Sequence, residues 1–210
     1  MGAAGDWPWR SREAPGRALP HGLFDLPADQ VAPALLGSVL VSTVGGTRVS
    51  GVVVEAEAYT GPEDPASHAR AAVGRTDRNA SMFGPPGTAY VYRSYGIHWC
   101  LNVVTGEVDV PAAVLLRALE PLEGTELMEE RRGRSRDLCS GPGRLCQALG
   151  VTGSLDGHPL SDPPLLVEPG WEVPDGRLGV SGRIGVSRAR ERPLRFYLRG
   201  HPSVSRAPRR

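Results

Sequence analysis

The chain has 210 residues, enough for one domain with a real core, and its 40% hydrophobic and 22% charged residues have the balance of an ordinary globular protein. No apolar run approaches the length of a membrane span, and the first 20 residues carry no apolar signal core, so a spanning helix and a secretory leader are both excluded as readings. The net charge of +1 conceals a bias: all 24 basic residues are Arg, so no lysine exists to form a Schiff base.

Residues 1–20, with Trp7, Trp9 and several Gly and Pro, are expected to form a frayed extension, 21–206 the single domain, and 207–210 a frayed end. Residues 26–40 read as a helix capped by Asp25, with Val31, Leu35 and Leu36 at helical spacing and Pro33 as a defect that shortens or kinks it. Residues 40–43 and 48–59 read as strands joined through Val44-Gly45-Gly46. The second of these strands carries Glu55, Glu57 and Tyr59 at alternate positions. They share one face, opposite Val54, Ala56 and Ala58.

Residues 74–87 form a long irregular connection of the kind that serves function or moves. Strands follow at 88–92 and 99–104, with Ser94-Tyr95-Gly96 near the turn between them. Residues 111–119 read as a buried strand, apolar except for Arg117. A guanidinium there needs a partner, and a carboxylate of the first strand is the candidate. Helices are expected at 125–132 and 142–149, the latter opened by Ser140-Gly141-Pro142. Residues 155–170 read as loop, and 183–186 and 194–198 as late strands.

Cys100, Cys139 and Cys146 make an odd count without zinc-like spacing. They point to structural thiols in a reducing, intracellular setting. Strands and helices are interspersed without βαβ regularity, which predicts one mixed α/β domain with prominent antiparallel pairing.

Two acids on an apolar strand are costly to bury unless something pairs or uses them. The strand at 48–59 and the aromatic run Tyr90 to Gly96 are expected to build one pocket suited to a nucleobase. There Glu57 would serve as general base, with Arg117 keeping it ionised, while a purely structural ion-pair strand fits the same pattern. Tyr59 and Tyr92 would stack on a flipped base, each contact worth about 1–3 kcal/mol. As core residues they need no such role. Tyr95, at a turn, suits a wedge inserted into DNA. His68 suits a hydrogen bond to a base edge. A metal-dependent hydrolase using Glu55, Glu57, Asp64 and His68, and a non-catalytic nucleic-acid-binding module, are the competing readings.

Further segments follow in order: Gly61-Pro62-Glu63-Asp64, Ser67-His68, Arg78-Asn79, Met82-Phe83, Pro86-Gly87-Thr88-Ala89-Tyr90-Val91-Tyr92, Tyr95-Gly96, Asn102-Val103, Leu115-Leu116-Arg117-Ala118-Leu119-Glu120-Pro121 and Leu138-Cys139-Ser140-Gly141-Pro142. With Glu55 to Tyr59 they closely resemble the alkyladenine DNA glycosylase family, also called the 3-methyladenine or methylpurine DNA glycosylases. The resemblance runs from about residue 26 to residue 205.

It implies a single compact domain with a curved, largely antiparallel sheet, a protruding β-hairpin and surrounding helices, without a helix-hairpin-helix and without a metal or other cofactor. It implies a monofunctional base-excision-repair enzyme, acting as a cytoplasmic, nucleoid-associated monomer. Such an enzyme flips alkylated purines, ethenoadenine or hypoxanthine out of double-stranded DNA and hydrolyses the N-glycosidic bond. The resemblance makes Glu57 the water-activating carboxylate and Arg117 its partner, gives Tyr59, His68, Tyr92 and Asn102 to the base pocket, and makes Tyr95 the inserted residue. Asn102 would crowd the exocyclic amine of guanine. Ile97 and His98 stand where better-known relatives carry Met and an aromatic, and Arg144 where a lysine is usual. Arg93, Arg144, Arg183, Arg195 and Arg199 are the candidates for a DNA-facing patch.

Overall fold

The computed structural model describes residues 7–10 and 19–205. Eight strands join in one curled, antiparallel sheet: β1 (Val39–Ser42), β2 (Val49–Tyr59), β3 (Ala89–Ser94), β4 (His98–Thr105), β5 (Ala112–Glu123), β6 (Leu165–Glu168), β7 (Leu178–Ser181) and β8 (Arg195–Leu198). The main path runs β3-β4-β5-β2-β1-β6, and β8 pairs with both β2 and β7. Among the described residues three α-helices, α1 (Ala28–Ala34), α2 (Thr125–Arg132) and α3 (Pro142–Leu149), accompany the sheet. The mixed α/β architecture with a curved antiparallel sheet is as the sequence implies.

The long β2 is the axis of the domain. Its first half pairs with β1, its second half with β8, and its other edge with β5. A strand covered on both faces needs apolar side chains above and below, and Val52, Val53, Val54, Ala56 and Ala58 are all buried. Opposite it, β5 buries Val114, Leu116, Ala118 and Leu119. The pairing of β2 with β5 shifts register between Val53 and Glu55 and again between Glu55 and Ala56. The second shift leaves Arg117 without a Cα partner on β2. Bulges of this kind re-aim a side chain, and here they aim a guanidinium at the acids of β2.

The hairpin β3–β4 protrudes with Tyr95, Gly96 and Ile97 at its tip. Tyr95 has φ 49° and Gly96 φ 69°, both left-handed, and the Ile97 N–H donates to Ser94 O at 3.0 Å. Glycine takes that conformation freely, whereas a tyrosine there is uncommon.

Several expected elements are redrawn. The helix expected over 26–40 is the seven-residue α1, because Pro33 lacks an N–H and the chain leaves the helix at Leu35. Asp25 does not cap it. Asp25 ends a separate 3-10 turn, and Pro27 precedes α1. Residues 183–186 are not a strand: Gly185 takes φ 79°, which breaks the extended run, and the strand lies earlier, at β7. The loop expected over 155–170 contains β6, whose four residues continue the sheet beyond β1.

Within the expected frayed extension, Trp7 and Trp9 are buried, stacked at 5.4 Å and packed against His201. Trp9 Nε1 and Arg10 both donate to the Glu120 carboxylate of β5, at 2.6 Å each. Aromatic area and an ion pair hold this short segment, and composition alone does not reveal that. Residues 1–6, 11–18 and 206–210 lie outside the described residues.

Candidate active site

Glu57 sits in the second half of β2 with no exposed surface. Strand alternation turns Glu55, Glu57 and Tyr59 to one side, and Arg117 of β5 spans the two acids. Its Nε donates to Glu55 Oε1 at 3.0 Å and its Nη1 to Glu57 Oε2 at 3.3 Å. Tyr59 Oη donates to the same Glu57 oxygen at 3.2 Å, and the Ile184 N–H donates to Glu57 Oε1 at 2.7 Å. Glu57 is therefore held from three directions.

The two acids differ in their surroundings. Glu55 also accepts from Arg195 Nε at 2.6 Å, Ser205 N at 2.7 Å and Ser205 Oγ at 2.8 Å. It is the saturated, structural member of the pair. For Glu57, burial outweighs Arg117 and the Ile184 amide and raises its pKa above the ordinary carboxylate range. A carboxylate moved toward neutrality in this way is a better proton acceptor.

A cavity of about 750 Å³ opens beside these groups. Tyr59, Arg117 and Ile184, which together grip Glu57, all line it, so the carboxylate lies directly behind its wall. Its other walls include His68, Met82, Tyr90, Tyr92, Cys100 and Asn102, with Tyr95 of the hairpin tip at its border. Tyr59, Tyr90 and Tyr92 give the cavity an aromatic wall beside the polar His68, Arg117 and Asn102.

Tyr90 and Tyr92 alternate along β3 and stack at 5.3 Å. His68 stands edge-on to Tyr92 at 4.3 Å, and its Nδ1 lies 3.0 Å from Tyr90 Oη. Burial, then the nearby Arg78 and Arg70, lowers the His68 pKa, which keeps the ring neutral at pH 7. Asn102 is buried on β4, and its Nδ2 donates to Tyr90 O at 3.0 Å. The segment 74–87 is pinned rather than loose: Asn79 Nδ2 donates to Gly74 O at 2.8 Å and His68 O at 3.2 Å.

The structure thus brings Glu57, Arg117, Tyr59, His68, Tyr92, Asn102 and Tyr95 to one place. It does not do so for the five arginines chosen as a DNA-facing patch. Arg183 is fully buried in an ion pair with Asp64, and Arg195 is turned inward onto Glu55. Both pay for burial with a carboxylate partner, so neither guanidinium is available at the surface. Arg93, Arg144 and Arg199 are exposed; Arg93 lies over Trp99 at 5.3 Å, and Arg144 Nη1 donates to Ser140 Oγ at 3.0 Å.

Sequence reasoning missed Arg70, Arg78 and Arg188, which line the cavity, and Arg78 lies over Tyr92 at 5.7 Å. It also missed the Ile184 amide, for which no side-chain pattern exists. The proposed metal set is dismantled by the contacts: Asp64 belongs to Arg183 and His68 to Tyr90. Among the described residues no group of three or more His, Cys, Asp or Glu could hold a metal ion. No helix among the described residues is long and apolar enough to cross a membrane.

The family whose description is Methylpurine-DNA glycosylase matches residues 22–202. A protein of Granulibacter bethesdensis is 50% identical over 184 residues, covering 85% of this chain and 83% of its own. One of Rubrobacter xylanophilus is 52% identical over 177 residues, 84% of this chain and 90% of its own. A third, of Agrobacterium fabrum, is 48% identical over 190 residues, 90% and 92% of the two chains. All three carry the provisional name 3-methyladenine DNA glycosylase.

Proposed function

The chain belongs to the methylpurine-DNA glycosylase family, and from that premise we propose that it removes damaged purines from double-stranded DNA by direct attack of a Glu57-activated water. The observation that carries this reading is the grip on Glu57: one buried carboxylate, held by Arg117, Tyr59 and the Ile184 amide, behind the wall of an aromatic-lined cavity.

The order of events follows from the chemistry. Tyr95, 88% exposed at the hairpin tip, enters the duplex where a damaged purine leaves the stack. The displaced base enters the cavity and stacks against Tyr59 and Tyr92. Flipping costs a few kcal/mol, least for damaged or mispaired bases, so stacking of about 1–3 kcal/mol per ring offsets it best on lesions. His68, neutral, can accept or donate one hydrogen bond at the base edge. Asn102 narrows the cavity against the exocyclic amine of guanine.

A water then hydrogen-bonds to a remaining lone pair of Glu57. As the C1′–N bond lengthens, its electron pair leaves with the purine and the sugar gains oxocarbenium character. The water oxygen bonds to C1′, its proton passes to Glu57, and the negative side chain faces the developing positive charge. An abasic site and the free base result: a cationic alkylated purine leaves neutral, and a neutral lesion leaves as an anion that takes up a proton from water. Without lysine the chain has no side-chain amine of that kind to open the sugar, so the strand stays intact. We place this activity in a cytoplasmic monomer working on chromosomal DNA.

The test is incubation of the protein with duplexes carrying 1,N6-ethenoadenine, hypoxanthine or methylated adenine, in excess chelator. Free base with an alkali-labile but uncleaved strand is the expected result. Activity abolished by chelator, or binding without base release, would refute the reading.

A further inference from the structure

The Arg183–Asp64 pair joins three parts of the cavity wall. Arg183 Nη2 donates to Asp64 Oδ1 at 2.8 Å, and Nη1 donates to Asp64 Oδ2 and to Ala58 O, the latter at 2.9 Å. Asp64 in turn accepts the Ala66 N–H at 3.1 Å and the Thr60 N–H at 3.4 Å. The guanidinium lies over the Tyr59 ring, 4.7 Å from its centroid, and the Arg183 and Asp64 side chains are both fully buried. Pro65, Ala66 and His68 follow Asp64 along the cavity wall, and residues 184–188 follow Arg183 along it. One ion pair therefore fixes the end of β2, the segment after Asp64 and the loop after Arg183.

Arg183 is also the residue before Ile184, whose N–H reaches Glu57 Oε1. A displacement of the guanidinium would carry that amide with it. A buried ion pair by itself is weak support for stability, since desolvation consumes most of what the attraction returns. What a bidentate fork supplies is direction.

We propose that Asp64 and Arg183 are the positioning pair of this site: together they hold the Ile184 amide on Glu57 and the Tyr59 ring against the bound base. The proposal rests on the role given above to Glu57. Neither residue touches the reacting atoms; both act through Ile184 and Tyr59.

The pair leaves a signature that a strut for the fold alone would not. Glu57 is faced by Arg117 from β5, by Glu55 and Tyr59 from β2, by Arg195 from β8, by Cys100 from β4, and by Arg183 and the Ile184 amide from the loop. Arg195 is committed to Glu55, and burial first keeps the Cys100 thiol neutral. The amide is thus the contact to Glu57 that loosening this pair would break first. A hydrogen bond to the charged form favours that form, so its loss makes Glu57 easier to protonate.

The experiment compares wild type, Asp64→Asn and Arg183→Lys. It reads single-turnover excision of ethenoadenine from pH 5 to 9, exchange of the Ile184 amide by NMR, and the melting temperature. Asn keeps the shape of Asp64 without its charge; Lys keeps the charge of Arg183 without the fork. Both variants should fold, exchange the Ile184 amide faster and excise at least tenfold more slowly. Their acid limb should move up by on the order of one pH unit, the amount one charge-assisted hydrogen bond supplies. An acid limb and an Ile184 exchange rate that stay at the wild-type values would overturn the proposal, as would global unfolding of both variants. Failure of the wild type itself to release base would instead strike the proposed function, and the Ile184 exchange would still read the positioning claim.

Discussion

Arg117 Nη1 stands 3.3 Å from Glu57 Oε2, at a place where β5 has slipped register against β2 so that the guanidinium can reach both acids of that strand. Its remaining nitrogen, Nη2, is spent on Ser205 Oγ at 3.3 Å. Removing one side chain would therefore strand two buried carboxylates, only one of which has Arg195 in reserve. Arg117→Ala should destabilise the fold by about 3–5 kcal/mol, the usual cost of breaking a buried pair from one side. Denaturant unfolding of the variant against wild type measures this. A loss below 1 kcal/mol would mean that the carboxylates are relieved by another route.

Burial raises the folded-state pKa of Glu57 above the ordinary 4.5, against the pull of Arg117 and the Ile184 amide. Between 4.5 and that raised value the folded protein holds a proton that the unfolded chain has released. The contribution of Glu57 to stability therefore falls as pH rises through this window. His68 has the opposite sign. Burial and two arginines lower its pKa below 6.5, so in the window beneath 6.5 the unfolded chain binds the proton and stability rises with pH. Melts of wild type, Glu57→Gln and His68→Asn across pH 4.5 to 7.5 should separate the two. Stability that Glu57→Gln leaves with the wild-type pH slope would contradict the assignment. In excision, the acid limb should lie above pH 4.5 and vanish with Glu57.

Tyr95 is 88% exposed, and its left-handed backbone is set at the hairpin tip beside Gly96. Tyr95→Ala should leave stability within about 0.5 kcal/mol of wild type, as surface changes do. It should weaken binding to a lesion duplex by tenfold or more, since the wedge that fills the vacated stack is gone. Fluorescence titration with lesion and undamaged duplexes checks both halves. Equal affinity for the variant would remove Tyr95 from that role.

Much of this site is legible in the sequence because side chains carry it. The alternation Glu55, Glu57, Tyr59 needs only a strand to become a face, and an arginine in an apolar run announces its need for a carboxylate. Arg117 does find both acids. The arginine patch was less legible, because a guanidinium reads alike at a surface and in a buried pair; Arg183 and Arg195 proved to be the latter. The Ile184 amide leaves no trace in any residue pattern. The edge strand β7 hid because its apolar residues Leu178 and Val180 face outward, reversing the expected alternation. Trp7 and Trp9, in a run of Gly and Pro, reveal their packing only once Glu120 arrives from β5 and His201 from the far end of the chain.

Single-turnover excision of ethenoadenine by Glu57→Gln, measured beside its binding to the same duplex, tests the central claim most directly. The variant keeps the size of the side chain and loses the base that accepts the water's proton. Excision should fall by roughly 10²–10⁴-fold while lesion binding stays within a few-fold of wild type. Turnover at the wild-type rate would contradict the account and return Glu57 to a structural ion pair.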